Sequence, residues 1–248
     1  MEKAQVIFGT RAVMEAIRAG RDLEKIIIQS GLSNDLIREL IHEAKQHGVS
    51  YTFTPPQRLA RFTNKNHQGV IAFLAAVHFE SIGNIVHKLF SEGTDPFILV
   101  LDRITDVRNF GAIVRTAESA GVHAILIADK GNAPVSADAV KTSAGALHYV
   151  PICRAVNLKT ALRELKESGL RIVACTEKTS DDVYGVAMEG PLAIVLGSEE
   201  DGIHPDLLRE ADALASIPMH GKIASLNVSV AAGVILYEAV RQRRASKA

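Results

Sequence analysis

The sequence predicts an α/β protein of two domains, in which a small N-terminal α/β domain precedes a larger one built on a mostly parallel sheet. Strand-like and helix-like patterns alternate through residues 1–76 and again through residues 94–248. The later strands are nearly continuous apolar runs, such as FILVL and LAIVL, which are typical of parallel strands covered on both faces. Between the two parts, residues 77–93 form a weaker stretch that we interpret as a linker with a helical turn or more.

Residues 1–76 carry the signals of a small α/β domain of about four strands. VIFG, LEKIIIQ, VSYTFT and GVIAFLAAV are strand-like, and a helical pattern covers residues 10–19. A longer helix is predicted to begin at Ser33 or Asn34, because both side chains cap helices well, and to end at Gly48.

Residues 94–248 contain six strand-like segments with helical patterns between them, which predicts a mostly parallel sheet. The segments are FILVLD, HAILIAD, HYVPI, RIVACTE, LAIVLGS and ALASI. The last helix, from about Asn227 to Arg243, is apolar almost all round for three turns. We expect such a helix to be buried against the sheet or against a second subunit.

The composition is that of an ordinary globular protein. Hydrophobic residues make up 47% and charged residues 23% of the 248 positions. No run reaches the roughly 18 apolar residues that a membrane span requires, and the first residues lack the apolar core of a secretory signal. Cys153 and Cys175 each lie in a short apolar run, which favours buried free thiols over a disulfide and predicts a cytoplasmic protein without a zinc site.

The net charge of zero gives no sign of a nucleic-acid partner, so local clusters of basic residues are more informative. Such clusters can contact phosphate groups. One cluster contains Arg58, Arg61, Lys65 and His67. The other contains Arg241, Arg243, Arg244 and Lys247. For this C-terminal cluster, solvated surface charge is an equally good interpretation.

Three loops of the second domain have an unusual composition, and ligands of open α/β sheets gather in loops of this kind. In residues 102–117, Asn109 is predicted to cap the next helix and Gly111 admits a close neighbour. Arg115, on a largely apolar helix, would need an anionic partner. A capped surface helix with one exposed arginine explains the same residues.

The second loop, residues 197–202, begins with a glycine directly after a strand and continues with three acids. Gly197 permits a tight turn and the close approach of a flat ligand. The acids Glu199, Glu200 and Asp201 would repel a phosphate. The loop therefore suits a ligand with hydroxyl, amine or sulfonium groups, although an ordinary acidic surface loop has the same composition.

The third loop, residues 217–229, leads from a strand into the last helix. Ser225, Asn227 and Ser229 bring three hydroxyl or amide side chains into five residues, where one helix cap would be enough. Some of them are therefore expected to serve a ligand or substrate. The usual dinucleotide fingerprint, the P-loop and the hydrolase nucleophile elbow are missing from the sequence, so a less common binding mode is expected.

In this order and spacing, the three loops resemble the three motifs of the SpoU (TrmH) family of RNA ribose 2′-O-methyltransferases. D…NFGAIVRTA resembles the first motif, LGSEEDGI the second, and IPM…SLNVSVAAG the third. Val107 stands where the family usually has proline, which concerns loop rigidity and no reacting group. The resemblance implies a parallel sheet of the SPOUT type whose C-terminal chain threads a deep trefoil knot, a feature nearly absent from other proteins.

The resemblance also implies S-adenosyl-L-methionine as cofactor, no metal, and an active site formed across a homodimer. The positions that contact the cofactor are matched by Gly197, Ile217 and Leu226. The catalytic group is matched by Asn109, Arg115, Glu199, Ser225 and Asn227. Family accounts make the arginine a general base. Because arginine stays protonated in nearly every protein setting, we interpret Arg115 as a clamp on the target phosphate.

The first domain also resembles part of a family member. FGTRAVMEAIRAG and NKNHQGVIA, residues 64–72, are similar to the ribosomal-protein-like RNA-binding domain of the ribosomal SpoU enzymes. This similarity favours RlmB-like enzymes, which methylate a guanosine ribose in 23S ribosomal RNA, and it implies RNA as the partner, with no DNA and no membrane. The alternatives are a transfer-RNA enzyme of the same family, an inactive RNA-binding relative and a metabolite-binding α/β protein.

Overall fold

A computed structural model describes residues 6–59, 61–62 and 66–246 of the chain. It divides into two compact units. The first unit comprises Met1–His78 together with Pro134–Ala137, and the second comprises Phe79–Ala133 together with Asp138–Ala248. None of the described helices combines the length and the apolar character that crossing a membrane requires.

The first unit is built on a four-stranded sheet with the strand order β1-β4-β2-β3, as many strands as the sequence predicted. Its elements are β1 (Val6–Phe8), α1 (Thr10–Arg18), β2 (Leu23–Gln29), α2 (Asp35–Gln46), β3 (Tyr51–Thr54), α3 (Pro56–Leu59) and β4 (Val70–Leu74). Asn34, one of the two predicted caps, begins α2, and its side chain accepts a hydrogen bond from the Ile37 amide at 2.9 Å. Helices α1 and α2 pack against each other and cover one face of this sheet.

The second unit is built on a seven-stranded sheet with the order β11-β9-β10-β6-β7-β8-β5. Its strands are β5 (Phe79–Glu80), β6 (Phe97–Leu101), β7 (Ala124–Ala128), β8 (Ile152–Ala155), β9 (Arg171–Cys175), β10 (Leu192–Leu196) and β11 (Ala213–Ala215). Its helices are α4 (Ile82–Ser91), α5 (Val107–Ser119), α6 (Ala137–Thr142), a 3₁₀ turn (Ala146–His148), α7 (Leu158–Glu167), α8 (Pro205–Leu208) and α9 (Val228–Ala245).

Every strand pair in the larger sheet is parallel, which confirms the predicted α/β class. All six predicted strands are present. One is shifted along the chain, because the HYVPI segment begins in the 3₁₀ turn and the strand itself starts at Ile152. The central strands β6 and β10 are fully buried, as their continuous apolar runs required.

The segment 77–93, which the sequence suggested was a linker, contributes two elements to the second unit. Strand β5 adds the seventh strand by pairing with β8, and α4 follows with Val86 buried in the core beneath it. The strand has only two residues, too few for any periodic pattern to register in the sequence. The helix was anticipated as a turn or more and extends over ten residues.

Helix α9 packs against α5, and its buried residues include Ala232, Ile235 and Ala239. The expectation that this helix is buried holds for one side only, because Val230 and Tyr237 are 53% and 50% exposed. The deep trefoil knot implied by the family resemblance stays a prediction.

Gly111, in the first turns of α5, has no room for a side chain. A Cβ atom placed there would lie 2.1 Å from Thr142 Oγ1 and 2.8 Å from the Thr142 carbonyl carbon. The Thr142 hydroxyl also donates to the Val107 carbonyl at 3.1 Å, so α6 is held tightly on the start of α5. The close neighbour predicted at this glycine is therefore Thr142 of α6, which approaches with both its side chain and its backbone.

We expect Gly111→Ala to lower the free energy of unfolding by roughly 1–3 kcal/mol, because the added methyl group forces α5 and α6 apart. Gly83→Ala is the matched control. Gly83 lies in α4, and the nearest atom to its added Cβ would be Ser81 Oγ at 3.9 Å. That substitution should be neutral or stabilising by up to about 1 kcal/mol. Urea unfolding of both variants measures the difference, and equal stabilities would contradict the packing described.

Candidate functional site

The loop after β10 folds back on itself at a glycine. Gly202 donates its amide to the Ser198 carbonyl at 3.0 Å and has φ of +69°. A Cβ atom on Gly197 would lie 2.2 Å from the Gly202 carbonyl carbon. Only glycine therefore fits at position 197, because a Cβ atom there would collide with the backbone of its own loop.

A buried carboxylate ties this loop to the one after β6. Asp102 is 5% exposed, and its Oδ2 accepts the His204 amide at 2.7 Å. Arg103 donates through Nε to Asp102 Oδ1 at 3.2 Å and through Nη2 to the Gly202 carbonyl at 3.0 Å. It also pairs with Asp201 at 2.9 Å. The hydrogen bond to Asp102 is the main cause that raises the pKa of Arg103.

Sequence reasoning missed the roles of Asp102 and Arg103. The available signal was an acid at the end of a wholly apolar strand, since a carboxylate buried there must be paired. Arg103 has φ of +59°, a left-handed conformation that is uncommon outside glycine, and its side chain bonds to Asp201 and Gly202 of the loop after β10.

Three of the predicted catalytic residues form a hydrogen-bonded group. Asn109 Nδ2 donates to Glu199 Oε2 at 3.0 Å, and Asn227 Nδ2 donates to Glu199 Oε1 at 2.7 Å. Asn227 Nδ2 also reaches Asn109 Oδ1 at 3.0 Å, which closes the ring. The Val228 amide adds a fourth bond, to Glu199 Oε1 at 3.2 Å. The structure thus joins residues that are up to 118 positions apart.

The prediction that Asn109 caps α5 is wrong. Helix α5 begins earlier, and Asp106 is its cap, accepting the Arg108 and Asn109 amides at 2.9 and 2.8 Å. Both Asp and Asn are good caps, so the sequence alone did not distinguish them. As a consequence, Asn109 lies in the first turn of α5 with its side-chain amide directed to Glu199.

Asn227 both caps a helix and belongs to the group. Its Oδ1 accepts the Ser229 amide at 3.0 Å and thereby starts α9, while its Nδ2 is directed to Glu199. The Ser229 hydroxyl bonds to the same Oδ1. Ser229 thus supports the cap, whereas Ser225 is exposed and forms no hydrogen bond within the described part of the chain.

A cavity of about 540 Å³ opens beside this group. Its wall includes the three predicted cofactor residues, Gly197, Ile217 and Leu226. It also includes Glu199, Ser225 and Asn227 from the predicted catalytic group. The wall combines aliphatic side chains with loop residues and carboxylates, so it can hold an apolar group together with cationic or hydroxyl groups.

Arg115 takes no part in the hydrogen bonds of this group. It is exposed on α5, six residues after Asn109, a spacing that puts the two side chains on different faces of the helix. Within the described residues its guanidinium forms no hydrogen bond and no ion pair. This exposure fits the surface arginine that the sequence also allowed, and the described part of this chain supplies no anionic partner for Arg115.

Both cysteines are free, as predicted. Cys153 is buried, and Cys175 is half-buried at the end of β9, where it lines the cavity. Burial raises the pKa of each thiol to about 12. Neither is a reactive thiolate near neutral pH.

Two residues of the C-terminal basic cluster form contacts within the fold. Arg241 pairs with Glu238 at 2.7 Å. Arg243 donates to the carbonyls of Gly190 and, at 2.9 Å, Asp95, and its guanidinium lies 5.0 Å from the centre of the Phe97 ring. Burial lowers the pKa of Arg243. Lys247 lies outside the described residues.

The N-terminal basic cluster forms fewer contacts within the described residues than the C-terminal one. Arg58 and Arg61 are exposed and form no ion pair within the described residues. His67 accepts the Gly69 amide at 3.0 Å, which gives it a part in the local turn. Lys65, and part of the NKNHQGVIA signature, lie outside the described residues.

We expect Asp102→Asn to lower the free energy of unfolding by about 2 kcal/mol, because charge-assisted hydrogen bonds to Arg103 and to the His204 amide are lost. The loop should also open more often, so the His204 amide should exchange faster with deuterium. Glu189→Gln, at an exposed acid, is the control. Unchanged urea stability together with unchanged exchange at residues 197–204 would disprove the locking role of Asp102.

Comparison with known proteins agrees with this geometry. Residues 96–237 match the profile of the SpoU rRNA methylase family, and residues 6–80 match the profile described as RNA 2′-O ribose methyltransferase substrate binding. A 23S rRNA (guanosine-2′-O-)-methyltransferase, RlmB, of Vibrio parahaemolyticus is 36% identical over 98% of this chain and 99% of its own length.

A tRNA/rRNA methyltransferase of Synechocystis, named as uncharacterized, is 37% identical over 98% of this chain, and this chain spans only 64% of that relative. Among solved structures, an AdoMet-bound rRNA methyltransferase from Sinorhizobium meliloti is 26% identical and has a TM-score of 0.59, covering 95% of this chain and 86% of the other. The three loops, the parallel sheet and these matches lead to one conclusion: the chain belongs to the SpoU family of RNA methyltransferases.

Proposed function

We propose that this protein transfers a methyl group from S-adenosyl-L-methionine to the ribose 2′-hydroxyl of a guanosine in 23S ribosomal RNA. The observation that carries the proposal is the ring of hydrogen bonds among Asn109, Glu199 and Asn227 at the edge of the cavity. The full-length similarity to the Vibrio enzyme supports the ribosomal substrate.

The cavity fits S-adenosylmethionine chemically. Leu196, Ile217 and Leu226 give it apolar walls for an adenine ring, and Glu177 and Glu200 give it carboxylates for cationic groups. Bound there, the cofactor supplies an activated methyl group. Backbone groups around Gly197, Ile217 and Leu226 would hold the adenine and ribose, so these three residues are proposed as the binding set.

Within the catalytic group, Glu199 is proposed as the acceptor that orients the two asparagine amides. It accepts hydrogen bonds from Asn109, Asn227 and the Val228 amide, which fixes its rotamer and theirs. Ser225, with its free hydroxyl on the cavity wall, would bind the incoming ribose or its phosphate. Such a fixed arrangement of donors lowers the reorganisation needed to align the 2′-oxygen with the methyl group.

Arg115 is proposed as a cationic clamp on the target phosphate. Its exposure and its lack of a partner within the described part of the chain fit a residue that meets an anion from outside. The proton of the 2′-hydroxyl would then leave through the phosphate or a water molecule, because arginine remains protonated at neutral pH.

The clearest test of the proposed activity is methyl transfer to RNA isolated from cells that lack the enzyme. Incubation with radiolabelled cofactor should label 23S ribosomal RNA, and mapping should find one 2′-O-methylguanosine. Labelling of transfer RNA instead would favour the alternative of a transfer-RNA methyltransferase of the same family. Binding of S-adenosylhomocysteine without any labelling would favour an inactive relative.

Substitutions of Arg115 distinguish a clamp from a base. Arg115→Lys keeps the charge but loses the planar two-pronged donor, so turnover should fall and remain measurable. Arg115→Ala should cost about 10²–10³ in rate, as for one lost transition-state donor. Cofactor affinity should hardly change in either variant. If the lysine enzyme gains a new rising limb in its pH–rate profile near the pKa of an amine, residue 115 acts as a base.

A homodimer is part of the proposal, with α9 in the interface. Val230 and Tyr237 are seven residues apart, so they share the exposed side of this helix, and α5 with Arg115 packs beside it. A second copy on this surface would bury both side chains and could carry its own Arg115 to the cavity of the first.

Mixed dimers test the shared site. Co-expression of Arg115→Ala and Asn227→Ala chains should restore roughly a quarter of wild-type activity, because random pairing makes half of the dimers mixed and each mixed dimer has one intact site. Each variant alone should stay nearly inactive. No restoration in purified mixed dimers would show that Arg115 acts within its own chain, and a monomer by light scattering would end the dimer proposal.

The proposal also assigns cofactor binding and RNA binding to different segments of the chain. Residues 94–248 would bind the cofactor and residues 1–76 the RNA, with the segment 77–93 between them. Because β5 and α4 pack in the larger unit, a truncated chain that is to retain cofactor binding should begin at Phe79 and not near Gly93. A ribosomal RNA substrate would be met inside the cell, which agrees with the cytoplasmic location predicted from the free thiols.

A further inference from the structure

The two faces of the four-stranded sheet are covered differently. The face under α1 and α2 contains the main core of the unit, including Val13, Leu40 and Ile26. On the other face, among the described residues, the smaller buried cluster consists of Ile27, Leu59 and Ile71, and the short α3 contacts this face at β2. Phe73 lies at the margin of this second cluster and is half-buried.

Aromatic and cationic side chains continue across this second face. Phe62 packs edge-to-face on Phe73, with ring centres 5.5 Å apart and an interplanar angle of 78°. Lys25 Nζ lies 5.3 Å from the centre of the Phe73 ring. The chain after α3 continues in turns from Arg58 to Arg61 and from Leu59 to Phe62. We call Lys25, Phe73, Phe62, Arg58 and Arg61 the aromatic–cationic strip.

Phe62 is the most open aromatic group of the strip, with 47% of its surface exposed. Phe73 lies between Lys25 and Phe62, so its ring is already occupied. Phe62 therefore has ring surface available for a planar partner. A single exposed apolar side chain is ordinary on a protein surface, and Phe62 is distinguished by the cations Arg58 and Arg61 close to it in the chain.

The segment that contains α3 and β4 has no acidic residue. From residue 44 to residue 79 the sequence has no aspartate or glutamate, since Glu43 and Glu80 flank the stretch. On the helical face, by contrast, Arg18 pairs with Glu39 and Glu43 at 2.8 and 2.9 Å. The strip cations Lys25, Arg58 and Arg61 form no ion pair within the described residues. They remain available to an anion.

We propose that the aromatic–cationic strip binds a single-stranded segment of the substrate RNA, with a base stacked on Phe62 and phosphates at Arg58 and Arg61. This inference rests on the proposed function and adds the form of RNA that the first unit recognises. Proteins that bind single strands combine positive charge along the backbone with aromatic rings on which bases stack. A duplex keeps its bases stacked on one another, so an exposed phenylalanine offers it little.

Two variants separate the stacking from the charge. Phe62→Leu keeps an apolar contact with Phe73 but removes the ring, so affinity for a 20-nucleotide single-stranded RNA should fall about tenfold at every salt concentration. Arg58→Ala combined with Arg61→Ala should weaken binding and also reduce the slope of log affinity against log salt by about 1.4, at about 0.7 for each lost phosphate contact on a single strand. Thermal unfolding should show that both variants are folded.

The matched control is Arg38→Ala, which removes an exposed arginine from the helical face of the same unit and should leave both affinity and salt slope unchanged. A self-complementary duplex of equal length should bind the wild type more weakly and should not respond to Phe62→Leu. Wild-type affinity in both strip variants would overturn the inference, and so would an equal loss for duplex and single strand after Phe62→Leu.

Failure of the strip proposal can be distinguished from failure of the proposed methyltransferase function. Binding of S-adenosylhomocysteine, measured by calorimetry, should be the same in the strip variants and the wild type. Methylation of 23S ribosomal RNA at saturating RNA should recover most of its rate, because the strip variants lose affinity and not chemistry. If the wild type methylates RNA while strip variants match it in RNA affinity, the function stands and the strip does not.

Discussion

The buried carboxylate of Asp102 is the constraint on which the arrangement of the functional site depends. Strands β6 and β10 are neighbours with Leu101 opposite Leu196, so the loops that follow them start side by side. The Asp102 side chain then accepts the His204 amide and the Arg103 guanidinium, and Arg103 holds the Gly202 carbonyl. A carboxylate this buried is stable only while these partners remain in place, which fixes the loop that carries Glu199.

Parallel strands explain how distant residues meet. Asn109 belongs to the helix after β6, Glu199 to the loop after β10, and Asn227 to the cap of α9, and the carboxyl ends of parallel strands meet at one edge of a sheet. Each side chain also has a local reason for its position. Asp106 caps α5, so the side chain of Asn109 is free to bond Glu199. Asn227 caps α9 through its side-chain oxygen, so its side-chain nitrogen is free to bond Glu199 as well.

Much of the fold could be predicted from the sequence, because long apolar runs and good caps act locally. All six predicted strands exist, and Asn34 caps α2 as predicted. The predictions that failed or stayed incomplete depended on tertiary contacts. Strand β5 is too short to produce a pattern and is defined by its pairing with β8. Asp and Asn are both good caps, so the sequence did not decide which of Asp106 and Asn109 begins α5. The close neighbour predicted at Gly111 exists, but only the structure identifies it as Thr142. The resemblance of the motif loops indicated the candidate site residues, whereas the hydrogen bonds among Asn109, Glu199 and Asn227 required the structure.

The neutral net charge conceals two regions of opposite character, and this separation matters for the proposed reaction. The described cavity wall holds Glu177, Glu199 and Glu200 and no lysine, arginine or histidine, which suits a cofactor with a sulfonium and an ammonium group. The strip of the first unit holds unpaired cations, which suit a polyanion. If these carboxylates and cations were mixed on one surface, the cations would repel the cofactor and the carboxylates would repel the RNA. Separate regions let one neutral chain attract a cationic cofactor and an anionic RNA.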